Sequence, residues 1–138
     1  MNSESKVLIT QFYQALARRD LEFILQLLHP EVEFRAAENF MYGAQNPYLG
    51  TAAVLALMKK IDDDWDGFTV IPEEIHGTGD MVIARGRYRG TYKANGFPLN
   101  AEYVHVFKFR DGKIVLQHNY TDTAQFRDAL SHVQLAGA

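Results

Sequence analysis

The sequence predicts a single α+β domain over residues 1–138, with a curved antiparallel sheet wrapped around three N-terminal helices and a pocket inside. Apolar residues recur at helical spacing up to residue 61, and from residue 68 onward they alternate with polar ones. Helices that come first and strands that come last are typical of α+β domains. A chain of 138 residues that is 47% hydrophobic is long enough and apolar enough for one core.

Three apolar stripes follow the i, i+3, i+4, i+7 spacing of a helix face. The stripes are Ile9, Phe12, Tyr13 and Leu16, then Leu21, Ile24, Leu25 and Leu28, then Val54, Leu55, Met58 and Ile61. Residues that favour the N-cap precede them, namely Ser3 or Ser5, Asp20 and Thr51. We therefore expect three amphipathic helices that bury one side each.

A short strand and a long loop separate the second helix from the third. Residues 31–34 alternate, with Val32 and Phe34 facing inward. The loop at residues 37–50 carries Phe40, Tyr42 and Tyr48. Because a long loop rich in aromatic residues usually covers something, we expect it to form a lid over the pocket.

The second half predicts an antiparallel meander over residues 68–76, 81–94, 97–110 and 113–122. Asn95-Gly96 and Asp111-Gly112 are the strongest short hairpin signals, because these residues tolerate the positive φ of a two-residue turn. Such turns would pair Ala94 with Phe97 and Arg110 with Lys113. Counting from these turns gives four rows of neighbouring residues on the inner face of the sheet: Ala84–Phe107–Leu116, then Gly86–His105–His118, then Tyr88–Tyr103–Tyr120, and finally Gly90–Ala101–Asp122.

Composition excludes several classes of function. The net charge is −3 and there is no basic stripe beyond Arg85, Arg87 and Arg89, so we expect no nucleic-acid partner. The absence of cysteine excludes disulfides, thiolate catalysis and cysteine-bound zinc. The N-terminus lacks the features of a signal peptide, and the apolar runs are too short to span a membrane. We expect a cytoplasmic protein with no membrane partner and no cofactor.

Five short segments, taken in order, resemble the nuclear transport factor 2-like superfamily, and within it the SnoaL-like or ketosteroid-isomerase-related group. They are Tyr48-Leu49-Gly50, Asp64-Trp65-Asp66-Gly67-Phe68, Tyr103-Val104-His105-Val106-Phe107, Arg110-Asp111-Gly112-Lys113-Ile114 and Tyr120-Thr121-Asp122-Thr123-Ala124. The resemblance implies a cone-like fold with a pocket, often dimeric. The superfamily includes isomerases, cyclases, hydrolases, dehydratases and non-enzymes, so function has to be argued from the site.

Comparison with the catalytic groups of that family argues against steroid isomerisation. The family's oxyanion-binding tyrosine corresponds to Phe12, its basic aspartate to Ala36 and its protonated aspartic acid to His105. Asp122 resembles the late-strand aspartate that SnoaL-like cyclases use as an acid or base.

His105 and Asp122 are the candidate catalytic residues. Histidine titrates near neutral pH and can exchange protons, although His105 could instead be a hydrogen-bonded core residue. Asp122 could instead cap a short helix at residues 123–130. The candidate ligand-binding residues are His118, Tyr88, Tyr103, Tyr120, Phe12, Phe34, Tyr42 and Trp65. Tyrosine hydroxyls could hydrogen-bond a carbonyl or enolate, although the tyrosines could also simply pack.

Two patterns suggest a metal, and neither is convincing. Asp62, Asp64, Asp66 and Glu73 match the spacing of an EF-hand loop, but Pro72 and the strand pattern that follows leave no exit helix. His105, His118 and Asp122 are the second candidate set, but only the two histidines can reach one ion, because Asp122 lies ~13 Å along the strand from His118. We expect no metal.

The sequence favours an acid–base enzyme of isomerase, cyclase or hydrolase type, acting on a hydrophobic carbonyl or polyketide-like compound. A non-catalytic module that binds a small hydrophobic molecule in the same pocket is the alternative. A third alternative is a protein-interaction module that uses Arg85, Arg87 and Arg89. The outer sheet face is flat and partly apolar, so we also expect a homodimer through it.

Overall fold

A computed structural model describes residues 2–133, and these residues form four helices and a six-stranded sheet. The helices are α1 (Asn2–Arg18), α2 (Leu21–Leu27), α3 (Thr51–Asp64) and α4 (Thr123–Ser131), with a short 3-10 turn at Gly43–Gln45. The strands are β1 (Leu28–Arg35), β2 (Tyr48–Leu49), β3 (Trp65–Thr78), β4 (Met81–Tyr92), β5 (Pro98–Arg110) and β6 (Lys113–Thr121). The predicted α+β class is confirmed, with one helix more than the three at the N-terminus.

The strand order in the sheet is β2-β1-β6-β5-β4-β3. Neighbouring strands run antiparallel, except that β1 lies parallel to β6. The sheet is curved and does not close, and α1 packs against β3 and β4 on its inner face. The centre of the core is aromatic, with Phe12 edge-on to Phe107 at 5.7 Å between ring centroids.

The predicted helix boundaries hold with small differences. Asp20 caps α2 as predicted, because its side chain accepts a hydrogen bond of 3.1 Å from the backbone N–H of Phe23. The N-cap of α3 is Gly50, with φ of 86°, and Thr51 is the first helical residue. Asp122 stands at the N-cap position of α4, as the alternative interpretation places it, but its side chain accepts no capping hydrogen bond from the backbone of the described residues.

The turn at Asp111-Gly112 is the predicted one, whereas the turn at Asn95-Gly96 is longer. Asp111 and Gly112 both have positive φ, 54° and 72°, and Arg110 pairs with Lys113. Residues 93–96 form the other loop, because the N–H of Tyr92 bonds to the Phe97 carbonyl at 2.9 Å. The predicted β4–β5 register is therefore wrong by two residues. Because side chains alternate with a period of two, the same residues of β4 and β5 still face inward. His105 lies opposite Ala84, and Tyr103 lies opposite Gly86.

A β-bulge in β6 overturns the predicted inner face of that strand. Ile114 pairs with Phe109 but Leu116 pairs with Lys108, so Val115 is an extra residue. A slip of one residue moves every following side chain to the other face. Gln117 and Asn119 therefore take the inner positions predicted for Leu116 and His118, while His118 and Tyr120 lie on the outer face.

No helix within residues 2–133 is both long enough and apolar enough to cross a membrane.

Candidate functional site

A cavity of about 280 Å³ lies between the helices and the inner face of the sheet. Most of its wall is apolar, and the apolar side chains include Phe12, Leu16, Ile24, Phe34, Phe40, Val54, Leu57, Met58, Ile61, Phe68 and Val70. Polar side chains line it in two places. We call Tyr88, His105, Gln117 and Asn119 the inner polar cluster, and Arg19 and Asp62 the mouth pair. The mouth pair is partly solvent-exposed, as are the lining residues Leu21 and Ile71, so these four residues mark the opening.

His105 lies at the centre of the inner polar cluster and is 1% exposed. Its Nδ1 is 2.7 Å from the Tyr13 hydroxyl, and its Nε2 is 2.5 Å from the Tyr88 hydroxyl. The Tyr103 ring stacks on the imidazole at 3.9 Å between centroids, with 13° between the planes. Both ring nitrogens are thus hydrogen-bonded and one ring face is covered.

Burial lowers the pKa of His105 to about 3, because the charged imidazolium would lose its hydration inside the protein. His105 is therefore neutral near pH 7. A neutral imidazole has one N–H donor and one acceptor nitrogen, so it bonds one tyrosine as donor and the other as acceptor. Such a group is suited to orient hydroxyls rather than to carry a charge.

Tyr88 is held by a chain of side-chain amides on β6. Asn119 Nδ2 donates to the Tyr88 hydroxyl at 3.3 Å, and Gln117 Nε2 donates to Asn119 Oδ1 at 3.0 Å. Burial raises the pKa of Tyr88 well above its ordinary value, so the phenol keeps its proton. This phenol is positioned by His105 and Asn119 and lines the cavity.

Tyr103 lies behind the cavity wall rather than in it. Its ring crosses β4 over Gly86, where an added Cβ would lie 2.0 Å from the Ile71 carbonyl oxygen and 2.6 Å from the Tyr103 hydroxyl. Position 86 therefore requires glycine. Among the described residues the buried Tyr103 hydroxyl has no hydrogen-bond partner. Its contribution to the site is the ring that stacks on His105.

His118 and Tyr120 lie on the outer face of the sheet, where their rings stack at 4.4 Å. Tyr120 is 50% exposed. Burial, and then the neighbouring Arg35, lower the pKa of His118. Asp122 is exposed at the start of α4, where its Oδ2 accepts from Gln125 Nε2 at 3.2 Å. The structure therefore does not bring these three residues together with His105.

The other predicted ligand-binding residues divide into two groups. Phe12 and Phe34 line the cavity. Tyr42 and Trp65 instead anchor the loop at residues 37–50, since Tyr42 donates to Asp64 Oδ2 at 2.7 Å and accepts from Trp65 Nε1 at 3.1 Å. Phe40 is the aromatic residue of that loop that lines the cavity.

Sequence reasoning missed Gln117, Asn119, Tyr13, Arg19 and Asp62. The bulge at Val115 hides the two amides, because strict alternation places them outside. Tyr13 could have been found, since it shares the α1 stripe with Phe12. No sequence pattern identifies Arg19 as a cavity residue, because its side chain reaches the cavity only through the way in which α1 ends. Within residues 2–133 no group of three or more histidine or acidic side chains is placed to hold a metal ion.

Comparison with known proteins places this chain in a family. The SnoaL-like domain family matches residues 9–117. No curated protein sequence matches the chain. An NTF2-like protein from Burkholderia thailandensis is 27% identical with a TM-score of 0.85, over 91% of this chain and 95% of that one. TerC, crystallised together with polyporic acid, is 28% identical with a TM-score of 0.80, over 91% of this chain and 96% of that one.

A more distant structure shares the fold. A protein from a Jannaschia species, described as a candidate SnoaL-like polyketide cyclase, has a TM-score of 0.82 at 14% identity, over 95% of this chain and 94% of that one. The chain belongs to the SnoaL-like domain family, within the NTF2-like superfamily. The predicted resemblance is thus confirmed.

Proposed function

We propose that the protein binds a small hydrophobic carbonyl compound in the cavity and that Tyr88 donates a hydrogen bond to its carbonyl oxygen. The observation that carries this proposal is the Tyr88 phenol, which is held by His105 and Asn119 against an otherwise apolar wall. Ligand sites of this kind combine apolar walls with a few positioned polar groups. The crystallisation of TerC with polyporic acid supports small-molecule binding on this fold.

The hydrogen-bond network offers one arrangement in which the Tyr88 proton is available. Tyr13 donates to His105 Nδ1, and the N–H at Nε2 then donates to Tyr88. Asn119 donates to the same phenolic oxygen, so the Tyr88 O–H is left to donate into the cavity. A donor preset in this way stabilises negative charge on an oxygen, as an enolising or cyclising carbonyl compound requires.

We further propose an acid–base enzyme of isomerase or cyclase type, in which Tyr88 hydrogen-bonds the carbonyl oxygen, solvent water accepts the proton released from the neighbouring carbon, and His105 is a positioning residue. It remains neutral and holds the donor Tyr88. Asp122, the other candidate catalytic residue from the sequence, lies exposed at the start of α4 and takes no part in the proposed mechanism. Polyketide-like ketones fit the apolar wall, and the cyclase description of the Jannaschia protein supports that class.

A non-catalytic binding module is the second candidate function. Two observations favour it: with a pKa of about 3 His105 is a weak base, and the inner polar cluster contains no carboxylate that could act as a base. The same Tyr88 hydrogen bond would then contribute affinity alone.

The test uses 2-acetylnaphthalene, a hydrophobic ketone whose methyl protons are enolisable. We expect it to bind, and Tyr88→Phe to weaken binding roughly two- to tenfold, since a hydrogen bond contributes ~0.5–1.5 kcal/mol. Tyr120→Phe, on the outer face, is the matched control and should bind like the wild type. Absence of binding to the wild type would contradict the proposal.

Hydrogen exchange of the methyl group in D₂O, followed by NMR, separates the two candidate functions. An acid–base enzyme accelerates the exchange, and Tyr88→Phe slows it. A binding module binds the ketone without accelerating exchange.

We also propose that the protein is a cytoplasmic homodimer joined through the outer face of the sheet. On that face Val104 lies between Arg85 and Tyr120, and Val106 lies between Ile83 and His118. Ion pairs of 2.9 Å to Glu73 and 2.6 Å to Glu74 neutralise Arg85. The surface thus has an apolar strip at Val104 and Val106 beside an arginine whose charge is offset, which suits a self-complementary contact.

A further inference from the structure

The mouth pair places a cation and an anion side by side on the wall of the cavity. Arg19 Nε lies 3.2 Å from Asp62 Oδ2, and the two side chains are 45% and 47% exposed. Arg19 follows α1, and Asp62 lies near the end of α3. Both residues line the cavity that Tyr88 also lines. A ligand that extends from the buried Tyr88 to the opening therefore also meets the mouth pair.

Arg19 occupies a backbone position that favours glycine. The α1 helix ends in a Schellman motif, in which the N–H of Arg19 bonds to the Leu16 carbonyl at 3.1 Å and the N–H of Asp20 to the Ala15 carbonyl at 3.0 Å. The residue at this point has positive φ, and Arg19 adopts 58°. A side chain here costs strain that glycine would avoid. An arginine at this strained position, with its side chain on the cavity wall, indicates a role for that side chain.

The Arg19 guanidinium is also fixed in place. Nη2 donates to the Phe68 carbonyl at 2.7 Å, and Nη1 donates to the Leu16 carbonyl at 3.2 Å. These bonds and the ion pair leave some of its N–H donors for another partner. Asp62 has further acceptor capacity of its own. The mouth pair thus presents a donor beside an acceptor, in a geometry set before any ligand arrives.

We propose that Arg19 and Asp62 recognise a hydroxyl group of the ligand, which accepts from Arg19 and donates to Asp62. A carboxylate would be repelled by Asp62 and an ammonium by Arg19, whereas a hydroxyl satisfies both. The ligand class is then an elongated hydrophobic hydroxyketone, with its ketone at Tyr88 and its hydroxyl at the mouth. This inference rests on the proposed function and adds the substrate class.

Three probes of similar shape test it: 2-acetylnaphthalene, 2-acetyl-6-hydroxynaphthalene and 2-acetyl-6-methoxynaphthalene. NMR titration of the full chain gives an affinity for each. We expect the hydroxy compound to bind about tenfold more tightly than the parent ketone, since hydrogen bonds to charged groups are stronger than neutral ones. The methoxy compound should show no comparable gain, because it cannot donate to Asp62.

The readout in each variant is the affinity ratio between the hydroxy and parent compounds. Arg19→Gly and Asp62→Ala should bring this ratio close to one. Arg19→Asn is a second variant that tolerates positive φ. Arg18→Ala is the matched arginine control, because Arg18 pairs with Asp20 and does not line the cavity, and it should keep the full ratio. Circular dichroism verifies that each variant folds.

The outcomes separate this inference from the proposed function. Tyr88→Phe should weaken all three probes together and keep the ratio. A ratio near one in the wild type, or an unchanged ratio in Arg19→Gly and Arg19→Asn, would overturn the role of the mouth pair while the proposed function stands. If no probe binds the wild type, both proposals are wrong.

Discussion

At the scale of single residues, the site depends on one histidine that burial keeps neutral. Tyr13 and Tyr88 satisfy its two nitrogens, and the Tyr103 ring covers one face. A buried polar side chain is tolerated when its hydrogen bonds are complete. The sequence identified His105 correctly as an inward residue at the centre of the sheet. It could not show the neutral state, because that follows from complete burial and not from residue type.

The lowered pKa of His105 predicts how stability depends on pH. The folded pKa is about 3 and the ordinary value is 6.5, so the unfolded state binds the proton first as pH falls. The contribution of His105 to stability is therefore complete above pH 6.5 and is lost between pH 6.5 and 3. From pH 7 to pH 5 this group alone should lower the free energy of unfolding by about 2 kcal/mol.

Urea unfolding at pH 7 and pH 5 measures that difference. The variant His105→Gln can still donate and accept hydrogen bonds but does not titrate. Its free energy of unfolding should therefore fall less between pH 7 and pH 5, by the amount that His105 contributes. His118→Gln, on the outer face, should retain it. Equal decreases in wild type and His105→Gln would show that this histidine does not titrate on unfolding.

At the scale of elements, the bulge in β6 decides which side chains reach the cavity. The alternation of β4 and β5 predicts their inner residues, and a register error of two does not change them. In β6 the extra residue Val115 reverses the pattern, and neither its residue type nor its neighbours signal a bulge. Periodicity thus predicts the fold and half of the inner polar cluster. The other half depends on a local irregularity that only the structure shows.

Deletion of Val115 tests this role of the bulge. Without the extra residue Leu116 follows Ile114 directly, so β6 pairs regularly with β5 and keeps Gln117 opposite Phe107 and Asn119 opposite His105. His118 and Tyr120 therefore stay on the outer face, and no ring is forced into the core. We expect the free energy of unfolding to fall by less than about 3 kcal/mol, which is within the usual range for a single change.

The control for this deletion is Val115→Ala, which keeps the chain length and the bulge. Denaturant unfolding of the two variants provides the comparison. A deletion that costs more than about 3 kcal/mol beyond Val115→Ala would show that the residues after the bulge had lost their present register.

At the scale of the whole molecule, the two faces of the curved sheet are suited to different tasks. The inner face combines apolar walls, the inner polar cluster and the mouth pair around one cavity. The outer face carries an apolar strip, with Val104 and Val106 beside the stacked rings of His118 and Tyr120. The same bulge that turns the amides of β6 inward turns these two rings outward. One irregularity therefore shapes both the site and the surface proposed for dimer formation.

The proposed dimer predicts a molecular mass twice that of one chain in sedimentation equilibrium. Val106 lies between Ile83 and His118, so Val106→Glu would bury two carboxylates, one from each subunit, in an apolar contact. Burying an unpaired charge is strongly unfavourable, and we expect this variant to be monomeric and folded. Arg127→Glu, on the exposed side of α4, changes charge away from the sheet and should leave the dimer intact. A wild-type protein that sediments as a monomer, or a Val106→Glu variant that still sediments as a dimer, would exclude the outer face as the interface. Because the cavity opens between the helices and not through this face, ligand binding should persist in the monomeric variant.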